Sequence, residues 1–116
     1  MKFTGISKVF STVDEKQYVT IGAFWDEMAA RYSRSNLKGL GYHWSDDSIE
    51  YVIGLKDGVI DGTNCEVSLP DEGWQTVCGK TKNLGELYSE IYKEDVLQYE
   101  IEMFDDEGNC QIMYYR

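Results

Sequence analysis

The spacing of apolar and polar positions changes several times along the chain, and each change marks a predicted element. Residues 4–11 set Ile6, Val9 and Phe10 among polar neighbours, an imperfect strand. Thr12 and Glu15 have the spacing of a capping box. Beyond them Tyr18, Ile21, Trp25, Met28 and Tyr32 recur at helical intervals, with Asp26, Glu27 and Arg31 turned outward. Residues 33–41, rich in Gly, Ser and Asn, read as an exit loop. Strands are predicted at 41–45 and 48–56, joined through Asp46-Asp47, and Ile49, Tyr51, Ile53 and Leu55 share one face of the second. Asp57-Gly58 ends it.

Residues 59–64 are the most linker-like stretch, and after them the order repeats. Strands are predicted at 65–69 and 74–80 around the turn Pro70-Asp71-Glu72-Gly73. Asn83 is a predicted helix cap with Glu86 as its reciprocal partner. Leu84, Leu87, Tyr88, Ile91 and Tyr92 then form one helical face. A hairpin of 98–104 and 110–115 closes the chain. The helices also match in sequence. Ile21-Gly22-Ala23-Phe24-Trp25-Asp26-Glu27-Met28 corresponds to Leu84-Gly85-Glu86-Leu87-Tyr88-Ser89-Glu90-Ile91, and Asp46-Asp47 answers Asp105-Asp106. A glycine inside a helix costs about 1 kcal/mol relative to alanine, so Gly22 and Gly85 suggest close backbone packing. The predicted fold is α+β: one domain over residues 1–116, with β-α-β-β halves at about 1–58 and 65–116. Their strands form one antiparallel sheet, with two helices on one face and a ligand groove on the other.

Charge narrows the function. The formal net charge of −10 repels phosphate backbones and anionic membranes, because nucleic-acid affinity comes mostly from Lys and Arg. Direct nucleic-acid binding and membrane association are therefore not expected. No apolar run is long enough to cross a bilayer, and the N-terminal residues lack the apolar core of a signal peptide. Cys65, Cys78 and Cys110 fit no zinc spacing and read as reduced thiols, so a cytoplasmic location is expected. Aromatic residues make up 14%, with nine Tyr, four Phe and three Trp. Buried Tyr and Trp each need a polar partner, so several are expected to line a groove or an interface rather than a plain core.

Several segments together resemble the GyrI-like small-molecule-binding domain. They are Ile21-Gly22-x-Phe24-Trp25, Glu50-Tyr51-Val52-Ile53-Gly54, and Leu69-Pro70 with Trp74-Gln75-Thr76-Val77. To these are added Ile101-Glu102-Met103-Phe104-Asp105 and the closing Gln111-Ile112-Met113-Tyr114. The resemblance covers nearly the whole chain. It implies a stand-alone relative of the effector-binding domains of AraC- and MerR-type regulators, whose groove takes aromatic, often cationic compounds above a strand glutamate. Glu102 stands at the matching position. The sequence starts without a DNA-binding segment, so transcription activation is not implied, and it ends on Tyr114-Tyr115-Arg116 where the family usually has a Pro-containing end.

The candidate ligand-binding residues are Glu102, Phe104, Tyr51, Trp44, Tyr42, Trp25, Tyr88 and Tyr114. Taken on its residues alone, Glu102 is a solvated strand carboxylate; the resemblance turns it into the base of the groove. If Ile101 and Met103 pack on the helices, Glu100, Glu102 and Phe104 look into that groove. Trp25, Tyr88 and Tyr92 also fit a core, as do Met28 and Ile91. Tyr114 shares the Glu102 face if the last hairpin turns through a glycine bulge at Gly108; a two-residue loop brings Met113 and Tyr115 there instead. His43, the only histidine, reads as solvent-facing. No catalytic residue, metal site or cofactor motif is expected. The expected function is binding of a small hydrophobic, aromatic or cationic ligand. Alternatives are hydrolysis of strained cyclopropane-bearing compounds through the groove carboxylate, and an acidic interaction module with a basic protein partner. Monomer and homodimer both stay open.

Overall fold

Ile49, Tyr51, Ile53 and Leu55 lie on a central strand, and the rest of the sheet is built outward from it. The computed structural model describes residues 1–93 and 97–116. Its elements run β1 (Lys2–Ser11), α1 (Gln17–Tyr32), β2 (Leu37–Tyr42), β3 (Ser48–Leu55), β4 (Cys65–Ser68), β5 (Gln75–Lys80), α2 (Leu84–Ile91), β6 (Tyr99–Phe104) and β7 (Asn109–Tyr115). The strands form one antiparallel sheet in the order β4-β1-β3-β2-β6-β7-β5. The order is mirrored about the β2–β6 junction, with β1-β3-β2 on one side answered by β5-β7-β6 on the other.

Both helices pack on the same face. Phe24, Trp25 and Met28 of α1 meet Leu37, Tyr51, Ile53 and Phe104, while Leu84 and Leu87 of α2 lie against the same cluster. Ile91 of α2 packs with Ile112 of β7. Burying these apolar side chains is the main driving force for docking the helices, at about 1.5–3 kcal/mol for each large residue.

The opposite face is filled, which overturns the expectation of a groove there. β1 changes partner along its length: residues 6–11 pair with β3, and residues 2–5 pair with β4. At the change, Gly5 and Gly54 let two backbones touch. A Cβ at Gly5 would lie 2.2 Å from the Ile53 carbonyl oxygen, and one at Gly54 2.1 Å from that of Thr4. Phe3 and Leu69 then join Leu40, Tyr42, Val52 and Ile101 in a second buried cluster on this side. Ile101 therefore faces away from the helices, and Glu100, Glu102 and Phe104 face toward them.

Three local expectations also change. The strand expected at 41–45 forms at Leu37–Tyr42 instead, because its glycines are filled by neighbouring side chains rather than left to a loop. A Cβ at Gly39 would fall 2.2 Å from the Tyr51 hydroxyl and 2.8 Å from Trp25 Cζ2; one at Gly41 would fall 3.1 Å from Glu100 Oε1. Neither capping box forms. A short 3₁₀ turn leads into each helix, and neither Thr12 nor Asn83 makes a side-chain cap. Backbone carbonyls of those turns accept the bonds instead, as Val13 O does from Lys16 N–H. Gly22 and Gly85 are not close-packed, since a Cβ at either would meet nothing within 4 Å.

The two kinds of glycine should respond oppositely to alanine. Gly39→Ala must displace Tyr51 or Trp25 and is expected to destabilise by about 1–3 kcal/mol. Gly22→Ala adds a methyl to open space and gains helix propensity, a stabilisation of about 1 kcal/mol. Urea denaturation midpoints of the two variants check this; equal midpoints would remove the packing argument for β2.

Candidate functional site

Register puts two glutamates where a core would ordinarily carry apolar side chains. Glu100 pairs with Gly41 and Tyr114, and Glu102 with Gly39 and Ile112. Cross-strand partners share a face, so both carboxylates stand beside bare glycine backbone on the helix-covered side. Both are buried, at 5% and 7% exposure. They form the floor of a cavity of about 540 Å³ between the sheet and the two helices. Ile21, Trp25 and Tyr18 of α1 and Leu84, Tyr88 and Tyr92 of α2 form its walls, with Tyr51, Ile49 and Phe104 completing the sheet side. Gly22 and Gly85 open onto it from the two helices, so the matched glycines widen this space. Tyr18 and Tyr92 remain exposed, at 61% and 40%, where the cavity meets solvent.

The polar groups are wired to the carboxylates. Trp25 Nε1 donates to the Tyr51 hydroxyl at 2.8 Å, and that hydroxyl donates to Glu102 Oε1. Tyr92 donates to Glu100 Oε2 at 2.5 Å. Tyr88 stacks on Tyr92 with ring centroids 5.5 Å apart. Its hydroxyl faces Glu102 and eases that group's ionisation, yet it lies outside hydrogen-bond geometry and is buried without a partner. Trp25 meets Phe104 edge to face at 5.0 Å.

Burial works against ionisation of both acids. Loss of solvent, and then repulsion from Glu102, push Glu100 up to about 8, with the Tyr92 hydrogen bond opposing. Loss of solvent also raises Glu102, against the Tyr51 hydrogen bond, the nearby Tyr88 hydroxyl and the Arg34 charge. The tyrosines that face them, Tyr51, Tyr88 and Tyr92, are held well above the usual phenol range, burial being the largest cause. They stay protonated as donors. Arg34 lines the cavity, but its guanidinium pairs with Asp26 at 2.8 Å and lies over the Trp25 and Phe104 rings. Among the described residues no ion pair reaches Glu100 or Glu102.

Of the eight expected ligand-binding residues, Glu102, Phe104, Tyr51, Trp44, Trp25 and Tyr88 gather around this cavity. Tyr42 does not: it belongs to the opposite face, with its hydroxyl 3.7 Å from Cys65 Sγ. Tyr114 does share the face of Glu102, because the last hairpin turns through Gly108 at φ 80°, but it lies outside the cavity lining and bonds Gln75. His43 is exposed and pairs with Glu50 at 3.2 Å. Glu100 and Tyr92 also line it; neither is among the eight expected ligand-binding residues, although i, i+2 strand spacing already puts Glu100 on the Glu102 face. Gln17, Tyr18 and Arg34 had no comparable signal. No family model, curated protein or solved structure matches the chain.

The raised acid makes a pH prediction. Glu100 keeps its proton up to about 8 when folded and releases it near its ordinary value of 4.5 when unfolded. The folded state therefore binds more protons between these values, and this contribution to stability is full below the lower value and lost as pH rises through the upper. Glu100→Gln removes the loss, so its stability, followed as melting temperature, should gain on the parent protein between about pH 5 and pH 9, by on the order of 5 kcal/mol. Melting curves across that range test it; a difference independent of pH would show that Glu100 titrates normally.

Proposed function

We propose that this chain binds a small aromatic cation in the cavity between its helices and sheet. One observation carries the reading: Glu100 and Glu102 are buried together, ringed by Trp25, Tyr51, Tyr88 and Phe104, with no basic side chain paired to either among the described residues. Two acids buried without a cation are costly to ionise. A ligand cation supplies the missing partner. At about 4 Å from a carboxylate it would gain about 4 kcal/mol before desolvation, and each aromatic face would add about 0.5–2 kcal/mol. The volume suits a drug-sized compound, within the range of about 300–1,000 Å³ for such sites. The net charge of −10 would draw cations toward the protein.

On this reading the chain is a duplicated β-α-β-β domain of the GyrI-like type. The mirrored strand order about β2 and β6 supports that, as do the matching glycines of α1 and α2. The groove then lies beneath the helices, in contrast to the open sheet face expected from the sequence.

The test pairs 9-aminoacridine, a cation at neutral pH, with neutral anthracene-9-methanol in fluorescence titrations. The cation should bind at least about tenfold more tightly, and Glu102→Gln should cost it about tenfold while the alcohol is unaffected. Because the bound cation favours ionised Glu100, binding should release a proton below about pH 8, and affinity should rise with pH up to that point. Equal affinities for cation and alcohol would exclude a cation site.

A further inference from the structure

The hydrogen-bonding groups around the cavity are unevenly matched, and the mismatch has chemical content. Five donor side chains of the lining already have partners. Trp25 Nε1 is given to Tyr51, Tyr51 to Glu102 and Tyr92 to Glu100. Ser89 donates back to the Gly85 carbonyl at 3.0 Å, and Arg34 is turned to Asp26. The acceptors are in surplus. Each carboxylate has one oxygen engaged by a tyrosine, and its other oxygen receives no hydrogen bond among the described residues. The Tyr88 hydroxyl and the side-chain oxygen of Gln17 are both buried without a partner, and both residues line the cavity. A buried polar atom left unpaired costs about 1–3 kcal/mol, a cost that a hydrogen-bonding group entering the cavity would offset.

We propose that the ligand cation carries N–H bonds: an aromatic primary or secondary ammonium, or an amidinium. This rests on the reading of the cavity as a cation site and specifies the cation. An N–H cation can donate to the free oxygens of Glu100 and Glu102 and to Tyr88 and Gln17. They line one cavity from three elements: Glu100 and Glu102 from β6, Tyr88 from α2 and Gln17 from the start of α1. A quaternary ammonium gains the same charge attraction and the same contact with aromatic faces. It leaves Tyr88 and Gln17 unsatisfied, however, and removes the remaining solvent from the carboxylates without replacing it. The N–H bonds, beyond the charge, are what the cavity is equipped to recognise.

Three probes of one shape separate the possibilities on the full chain by fluorescence anisotropy: anthracen-9-ylmethylammonium, its N,N,N-trimethyl counterpart and anthracene-9-methanol. The ammonium is expected to bind at least about tenfold more tightly than the trimethyl compound, and the trimethyl compound more tightly than the alcohol. Tyr88→Phe should weaken the ammonium severalfold more than it weakens the trimethyl compound. Its melting temperature should not fall, since the hydroxyl removed has no partner in the free protein. Equal affinity of the two cations, both above the alcohol, overturns the N–H requirement and leaves the cation site standing. Equal affinity of all three overturns the cation site itself. Weakening of both cations alike by Tyr88→Phe, with a lower melting temperature, makes Tyr88 a packing residue and overturns its part in recognition.

Discussion

A Cβ at position 39 would sit 2.2 Å from the hydroxyl of Tyr51, and the cavity floor depends on that atom being absent. β2 lies between β3 and β6, so any side chain on its helix-facing side would separate Tyr51 from Glu102. With glycine at 39 and 41, the Tyr51 ring extends across bare backbone to reach a carboxylate two strands away. Trp25 then closes over the hydroxyl from α1. The glycines give up β-propensity and backbone order, and burial of Tyr51 and Trp25 offsets that loss. Removing two side chains from a central strand is what creates polar contacts inside the core.

The same arrangement fixes the energetics of the site. Two acids side by side in a low-dielectric cavity cannot both ionise cheaply. Tyrosine hydroxyls moderate the cost for each without cancelling it, since Glu100 remains at about 8. At neutral pH the free cavity therefore retains a proton that a bound cation would displace. Stability is given up at the position where binding is proposed, a trade that functional sites commonly make. The unpaired hydroxyl of Tyr88 has the same sense. It is unpaired in the free protein and becomes favourable with a hydrogen-bonding partner beside it.

Much of this was legible in the residues. Apolar alternation located β3, helical spacing located both helices, and the Glu102 face could be assigned together with Glu100 and Phe104. What failed was the side of the sheet. Ile101 and Met103 look like the core-facing pair because apolar residues usually face helices. Here two cores exist, one on each face, and the strand could not say which held the helices. The covering of the outer face depends on β1 switching from β3 to β4, a long-range pairing that leaves only Gly5 and Gly54 as a trace. β2 was displaced for a related reason: Gly39 and Gly41 look like a loop until the neighbours that fill their space are known. In place of the capping boxes, 3₁₀ turns lead into both helices, with Glu15 N–H bonded to the Thr12 carbonyl and Leu84 N–H to that of Thr81.

The mirrored strand order suggests how such a cavity comes to have one acidic floor rather than two. The spacing that aligns Gly22 with Gly85 in the helices also aligns Gly39 with Glu102, and these two residues are direct partners across β2 and β6. On the proposed duplication they are one position seen twice, meeting at the junction of the halves. A carboxylate in both would bring two charges together at the cross-strand distance of about 5 Å, with no room for Tyr51. A glycine in both would leave Glu100 as the one acid of the floor. Glycine in one half and glutamate in the other satisfies packing and chemistry together. On that reading the mirrored frame supplies the space, and two departures from symmetry, Glu102 against Gly39 and Glu100 against Leu37, supply the charge.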